Sequence, residues 1–187
     1  MDDHPETFLS PVKRARRAKI VAAARDLFVE RGFRATTMEA VAATVGMSKV
    51  TVYGYFPDKD AVFLAVARAV AEEIEAAFDA ALDTDGTVPD RIAAALVAKH
   101  ALVARTVRGS IHAAELFAAK DRTAGAVFAA LDARLEAAIA TTLDGEHASG
   151  TARLLFAAAQ GIANAAEDDE TRDQSVNRLV RAILAWG

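Results

Sequence analysis

No cysteine occurs among the 187 residues, so disulfides, thiolate metal sites and thiol nucleophiles are excluded. Proline is scarce, with four residues, and glycine supplies only ten, too few for a loop-rich β protein. No run of about 20 apolar residues is present to cross a bilayer. The most apolar stretch, AVFLAVARAVA, is interrupted by Arg68. The opening residues, MDDHPETFLSPVKRARRAK, lack the apolar core of a signal peptide. Together these absences lead us to expect a soluble cytoplasmic protein with no membrane partner.

The chemistry of most enzymes is missing too. His112-Ala-Ala-Glu115 has neither the order nor the spacing of the zinc-binding HExxH motif. No Glu-x-x-His pair supports a di-iron bundle. Ser110 stands near His112 but lies on no nucleophile elbow. No glycine-rich phosphate loop is found. The sequence therefore gives no reason to expect catalysis, a metal or a cofactor.

What is present favours helices. The composition is 53% hydrophobic and 26% charged, as in globular chains, and alanine, the best helix former, supplies much of the apolar part. No segment alternates as a half-buried strand does, so the fold class is all-α, with about nine helices. Residues 1–10 are polar and aperiodic, a flexible tail. Ile20, Ala24, Leu27 and Phe28 make one apolar stripe on a helix from about residue 11 to 31. Gly32 then suits the left-handed position after its end.

Two short helices follow. Thr36, with Glu39 three residues on, reads as a capping box for the first. Gly46 breaks it and Ser48 caps the second. Asp58 is the expected N-cap of a long helix to about residue 82. Beyond the loop at residues 83–89, helices are expected over about 89–106, 109–119, 121–143, 149–167 and 170–186. This gives a domain at 11–57 and a second at 58–187.

Charge is unevenly spread along the chain. The net formal charge is −4, yet residues 11–57 carry nine Lys and Arg against three acids. A basic block on an acidic body suits a protein that meets phosphate with one part only; a solvated basic helix face gives the same count. Within this block, Ala42, Gly46 and Val52 have the spacing of a helix-turn-helix. The small residue permits close crossing, the glycine permits the turn, and the valine points back at the first helix. Many helix pairs satisfy that spacing. Here, however, the second helix opens with Ser48, Lys49, Val50 and Thr51, where a recognition helix meets base edges. Tyr53 and Tyr55 follow, with hydroxyls that can donate to phosphate.

TTMEAVAATVGMSKVTVYGYFPDKDAVFLAV, with IVAAARDLFVERGF before it, closely resembles the DNA-binding region of TetR-family regulators over roughly residues 17–67. The resemblance implies that Thr37 contacts phosphate at a helix N-terminus, where the dipole favours an anion. It implies base or nearby phosphate contacts from Lys49 and Thr51, and phosphate contacts from Tyr53, Tyr55 and Lys59. Arg16 and Arg17 would add backbone contacts from the first helix. Thr36, Ser48 and Val50 complete the candidate DNA-binding set. Val50 stands where many members have glycine; it would touch a thymine methyl. Gly54 stands where a larger residue is usual.

For the remainder the resemblance extends only to layout. It implies a homodimer through the last two helices, for which Leu154, Leu155, Ala158, Gly161, Ile162, Leu179, Ile183 and Trp186 are candidates; a core within one subunit is the alternative. Paired recognition helices about 34 Å apart would read a palindromic double-stranded operator. It also implies a pocket for an unknown small-molecule effector. Phe63, His100, His112, Phe117, Phe128, Phe156 and Gln160 are candidates to line it. The expected function is repression relieved by a ligand; a ligand-independent or activating DNA-binding regulator is the alternative.

Overall fold

The computed structural model describes residues 10–185. The expected flexible tail lies outside them except for Ser10, whose hydroxyl caps α1 (Pro11–Ala35). The helices that follow are α2 (Met38–Val45), α3 (Lys49–Tyr53), α4 (Lys59–Leu82), α5 (Val88–Val103), α6 (Ala113–Leu143), α7 (Ala148–Ala165) and α8 (Asp169–Leu184). A π-helical turn, Ala104–Arg108, extends α5. There is no strand among the described residues. The all-α expectation stands, with eight α-helices among the described residues in place of about nine.

The missing boundary is at Lys120-Asp121. These residues form a surface ion pair of 2.7 Å on an unbroken α6. Neither lacks an N–H nor favours positive φ, so nothing in the pair stops a helix. In contrast, Gly32 has φ 81 and ψ 168. That region is essentially confined to glycine, and the regular part of α1 ends there as expected.

The chain divides into two compact units. The first runs to Ala69 and includes Ser110–Gly125; the second comprises Val70–Gly109 and the residues from Ala126 onward. α4 and α6 each contribute to both. The compact units therefore divide within α4, whereas the sequence placed the division before it.

In the first unit, Ile20, Ala24, Leu27 and Phe28 of α1 are buried with Val41, Ala42, Val45, Val52, Phe56 and Val62. Phe28, Phe33 and Phe63 form a three-ring cluster with centroids 5.2–5.7 Å apart. Such ring contacts contribute about 0.5–1.5 kcal/mol each beyond their burial. In the second unit α8 packs on α5 and α7, around Ile92, Leu96, Leu155, Val176 and Val180. Arg181 bonds Asp90 at 2.9 Å across α8 and α5.

Candidate nucleic-acid interface

α2 and α3 meet through a turn with glycine geometry. Gly46 lies in the left-handed region at φ 67, ψ 34, and Met47 N–H donates to Ala42 O at 3.0 Å. A Cβ on Gly46 would meet nothing within 4 Å, so the backbone conformation, not space, calls for glycine. Val52 is fully buried and anchors α3 to this core. Ser48 caps α3 by accepting Thr51 N–H at 3.1 Å, and the two hydroxyls lie 2.8 Å apart.

Burying Val52 turns its neighbours outward. Val50 is 83% exposed and Tyr53 45%. Lys49 is exposed, whereas Thr51 and Tyr55 are half-buried. An isolated apolar side chain this exposed at a helix N-terminus gains nothing for the fold and suits an apolar contact such as a thymine methyl. Thr37 is exposed at the start of α2, and its hydroxyl accepts Ala40 N–H at 3.1 Å. Arg16 is exposed on α1, while the Arg17 guanidinium lies 4.9 Å over the Phe56 ring.

One assignment is corrected. The N-cap of α2 is Thr37, not Thr36. Thr36 is fully buried, with its hydroxyl donating to Gly32 O at 2.7 Å and Leu27 O at 3.1 Å. It closes the end of α1 and offers nothing to DNA. Lys59 is also engaged: its ammonium donates to Phe33 O at 2.7 Å and Arg34 O at 3.2 Å, and stands 4.5 Å over the Phe33 ring. An ammonium has three donors, so its first role is to hold the end of α1.

Glu39 was read only as a capping partner. Its Oε1 stands 3.1 Å from Lys49 Nζ, joining α2 to α3. Its carboxyl is held below the usual glutamate range first by its own backbone N–H, then by Lys49, with Thr37 adding a little. An acid inside an otherwise basic segment was the available signal.

The candidate effector set is divided between the units. Phe63, His112 and Phe117 belong to the first, and His100, Phe128, Phe156 and Gln160 to the second. Phe63 is buried in the three-ring cluster. His112 stands against Gly32, beside Glu115. In the second unit the sequence reading missed Lys99. It is 5% exposed, yet its Nζ reaches Gln160 Oε1 at 3.1 Å, Asp132 Oδ1 at 3.3 Å and the face of Phe156 at 4.0 Å. Burial of an ammonium requires such compensation. A lysine one turn beyond Ala95 and Leu96 on the apolar stripe of α5 was the sequence signal. Another recess, about 290 Å³, is bordered by the π-helical turn, with Ala104, Arg105, Ala163 and Arg172 among its walls.

Among the dimer candidates, Leu155 is fully buried inside its own unit, as the alternative of a core within one subunit has it. Leu154 is 55% exposed; Gly161 is exposed, and Ala158, Ile162, Leu179 and Ile183 are half-buried. Trp186 lies outside the described residues. No described helix is long and apolar enough to cross a membrane.

Residues 20–66 match the family model described as bacterial regulatory proteins, tetR family. The transcriptional regulator RutR of Escherichia coli K12 is 38% identical over 58 residues, 31% of this chain and 27% of RutR. The repressor Rv1474c of Mycobacterium tuberculosis is 39% identical over 62 residues, a third of each chain. The activator FasR of Mycolicibacterium smegmatis is 32% identical over 83 residues, 44% of this chain and 38% of FasR. The matched region thus spans between about a quarter and two fifths of these relatives. For the whole fold, a tetR-family structure from Mesorhizobium loti superposes with a TM-score of 0.73 at 20% identity, over 95% of this chain and 98% of that one.

Proposed function

We propose that the chain is a regulator of the tetR type, on the match of residues 20–66 to that family's model and the shared fold, and that it is a cytoplasmic, homodimeric repressor released from a palindromic operator by a small molecule. The observation that carries the DNA-reading part is the exposed edge formed by Thr37, Lys49, Val50 and Tyr53, backed by the buried Val52. Thr37 and Tyr53 fix register on phosphate, as do Arg16 and, through its remaining donor, Lys59. Lys49, Val50 and Thr51 meet base edges. Tyr55, Ser48 and Arg17 position these groups.

Dimerisation is proposed through the outer faces of α7 and α8. Leu154, Ala158, Gly161 and Ile162 lie at helical spacing on α7, and Leu179 and Ile183 on α8. A Cβ on Gly161 would meet nothing within 4 Å, which leaves room for another helix. The effector-binding part is assigned to the second unit, where His100, Phe128, Phe156 and Gln160 remain candidates with Lys99. α4 and α6, each shared by both units, are the covalent routes by which ligand binding shifts the DNA-reading unit. By linkage, operator DNA then weakens ligand binding by the same factor.

The test is titration of the protein against a pool of random duplexes at rising salt. Binding should weaken with log salt at a slope of about −0.9 per phosphate contact, and two chains should occupy each retained site. A protein that binds no duplex at low salt, or one chain per site, overturns the reading. An activating regulator is the second reading, favoured by the FasR match; a reporter gene that falls when the protein is removed would select it.

A further inference from the structure

An acid on the edge assigned to DNA calls for a physical account. The Glu39 carboxylate lies at the second position of α2, beside the Thr37 cap, and 3.1 Å from Lys49 Nζ. Both side chains are about half exposed, so the pair contributes little to folding. A phosphate approaching this edge would seek the same two partners, the α2 N-terminus and the ammonium. Glu39 already satisfies both.

We propose that Glu39 is a specificity-determining residue that stands in for phosphate on the free protein, suppressing sequence-independent DNA binding. This rests on the DNA-reading assignment above. In a sequence-independent complex, Lys49 gains only a phosphate contact, which Glu39 has already replaced, and the phosphate meets a like charge. At the operator, Lys49 can direct one N–H to guanine O6 or N7 while another remains with Glu39, since an ammonium carries three donors. The carboxylate therefore penalises the unspecific complex more than the specific one. It also holds Lys49 in one direction, removing part of the ordering cost before DNA arrives.

Glu39→Gln keeps the size and helix preference of the side chain and removes its charge. At about 0.15 M salt, affinity for a duplex without an operator should rise about three- to tenfold, and its log–log salt slope should steepen by about one unit. Operator affinity should change less, so the ratio of operator to unspecific affinity falls. In a Lys49→Ala background the slope change should vanish, because the freed ammonium is its source. Equal unspecific affinity and slope in Glu39→Gln and wild type overturn the inference, as does a rise in the ratio. A change of base preference at one operator position, without the unspecific gain, also overturns it by making Glu39 a direct base reader. Failure of the wild-type protein to bind any duplex is a separate result, which removes the DNA-reading assignment itself. Thermal melts of each variant verify folding; Lys49→Met, which leaves Glu39 without Lys49, should lower unspecific affinity less than removal of an exposed lysine with no ion pair among the described residues, such as Lys13.

Discussion

Glu115, in the first turn of α6, accepts the backbone N–H of Arg34 at 2.6 Å, at the far end of α1. Eighty-one residues separate them in sequence. Ser110 adds a bond of 2.5 Å to Val29 O. The segment from Ser110 onward therefore fastens the end of α1 within the first unit, immediately before the α2 cap that would meet DNA. Replacing Glu115 with Ala removes the charged acceptor of a solvent-accessible main-chain donor and should cost about 1 kcal/mol. Urea denaturation measures that loss; an unchanged midpoint contradicts the fastening.

Gly32 sits under this contact. A Cβ placed there would lie 2.5 Å from Glu115 Oε2 and 3.0 Å from His112 Nδ1, on a backbone at φ 81 and ψ 168. Gly32→Ala should thus be destabilising by about 1–3 kcal/mol from conformation alone, with the displacement of Glu115 in addition. Combined with Glu115→Ala, it should cost less than the two single losses together, since the clash is then gone. Thermal melts of the three variants test this, and simple additivity would contradict it.

Lys59 joins the same region from α4. With its ammonium on two carbonyls of α1, Lys59→Met should lower stability by about 1–3 kcal/mol and weaken binding to operator and random duplex by a similar factor. Lys59→Arg should recover part of the stability. Anisotropy titrations with both duplexes check the ratio; a loss confined to the operator would make Lys59 a base reader.

Asp168 gives a pH prediction in the second unit. It caps α8, and the Thr171 backbone N–H, followed by the Thr171 side chain, holds its carboxyl below the ordinary aspartate value of 3.8. A carboxyl depressed by folding adds stability in full above the unfolded value and loses it as pH falls through the lower folded value. Asp168→Asn keeps a capping oxygen but cannot titrate, so the stability gap between wild type and variant should close on acidification below 3.8. Denaturation curves at several pH values check it; a gap that widens at low pH contradicts it.

Local chemistry made much of the fold legible in the sequence. Gly46, Ser48 and Asp58 each act through neighbours within a few residues, and their helix boundaries followed. Thr36 and Thr37 were exchanged because either hydroxyl can cap locally; what separates them is the bond from Thr36 to Leu27 O, nine residues back. Leu155 was left open between a dimer face and a core within one subunit for a similar reason, since apolar periodicity identifies a buried face without saying which neighbour covers it. Lys99 was overlooked because its compensation comes from Asp132 and Gln160 on other helices. In the edge proposed to read DNA, the exposed Lys49, Val50 and Tyr53 were nameable from the turn beside them. The Glu39–Lys49 pair was not, because α2 and α3 had first to be folded against each other.

The central claim is that α3 reads bases. Its most direct test is selection of bound sites from random duplexes, in parallel for wild type and Lys49→Ala. The account predicts an inverted-repeat consensus for wild type, with half-sites about one helical turn apart, and a changed preference at symmetric positions for the variant. No consensus for wild type, or the same consensus with uniformly weaker binding for Lys49→Ala, would contradict it.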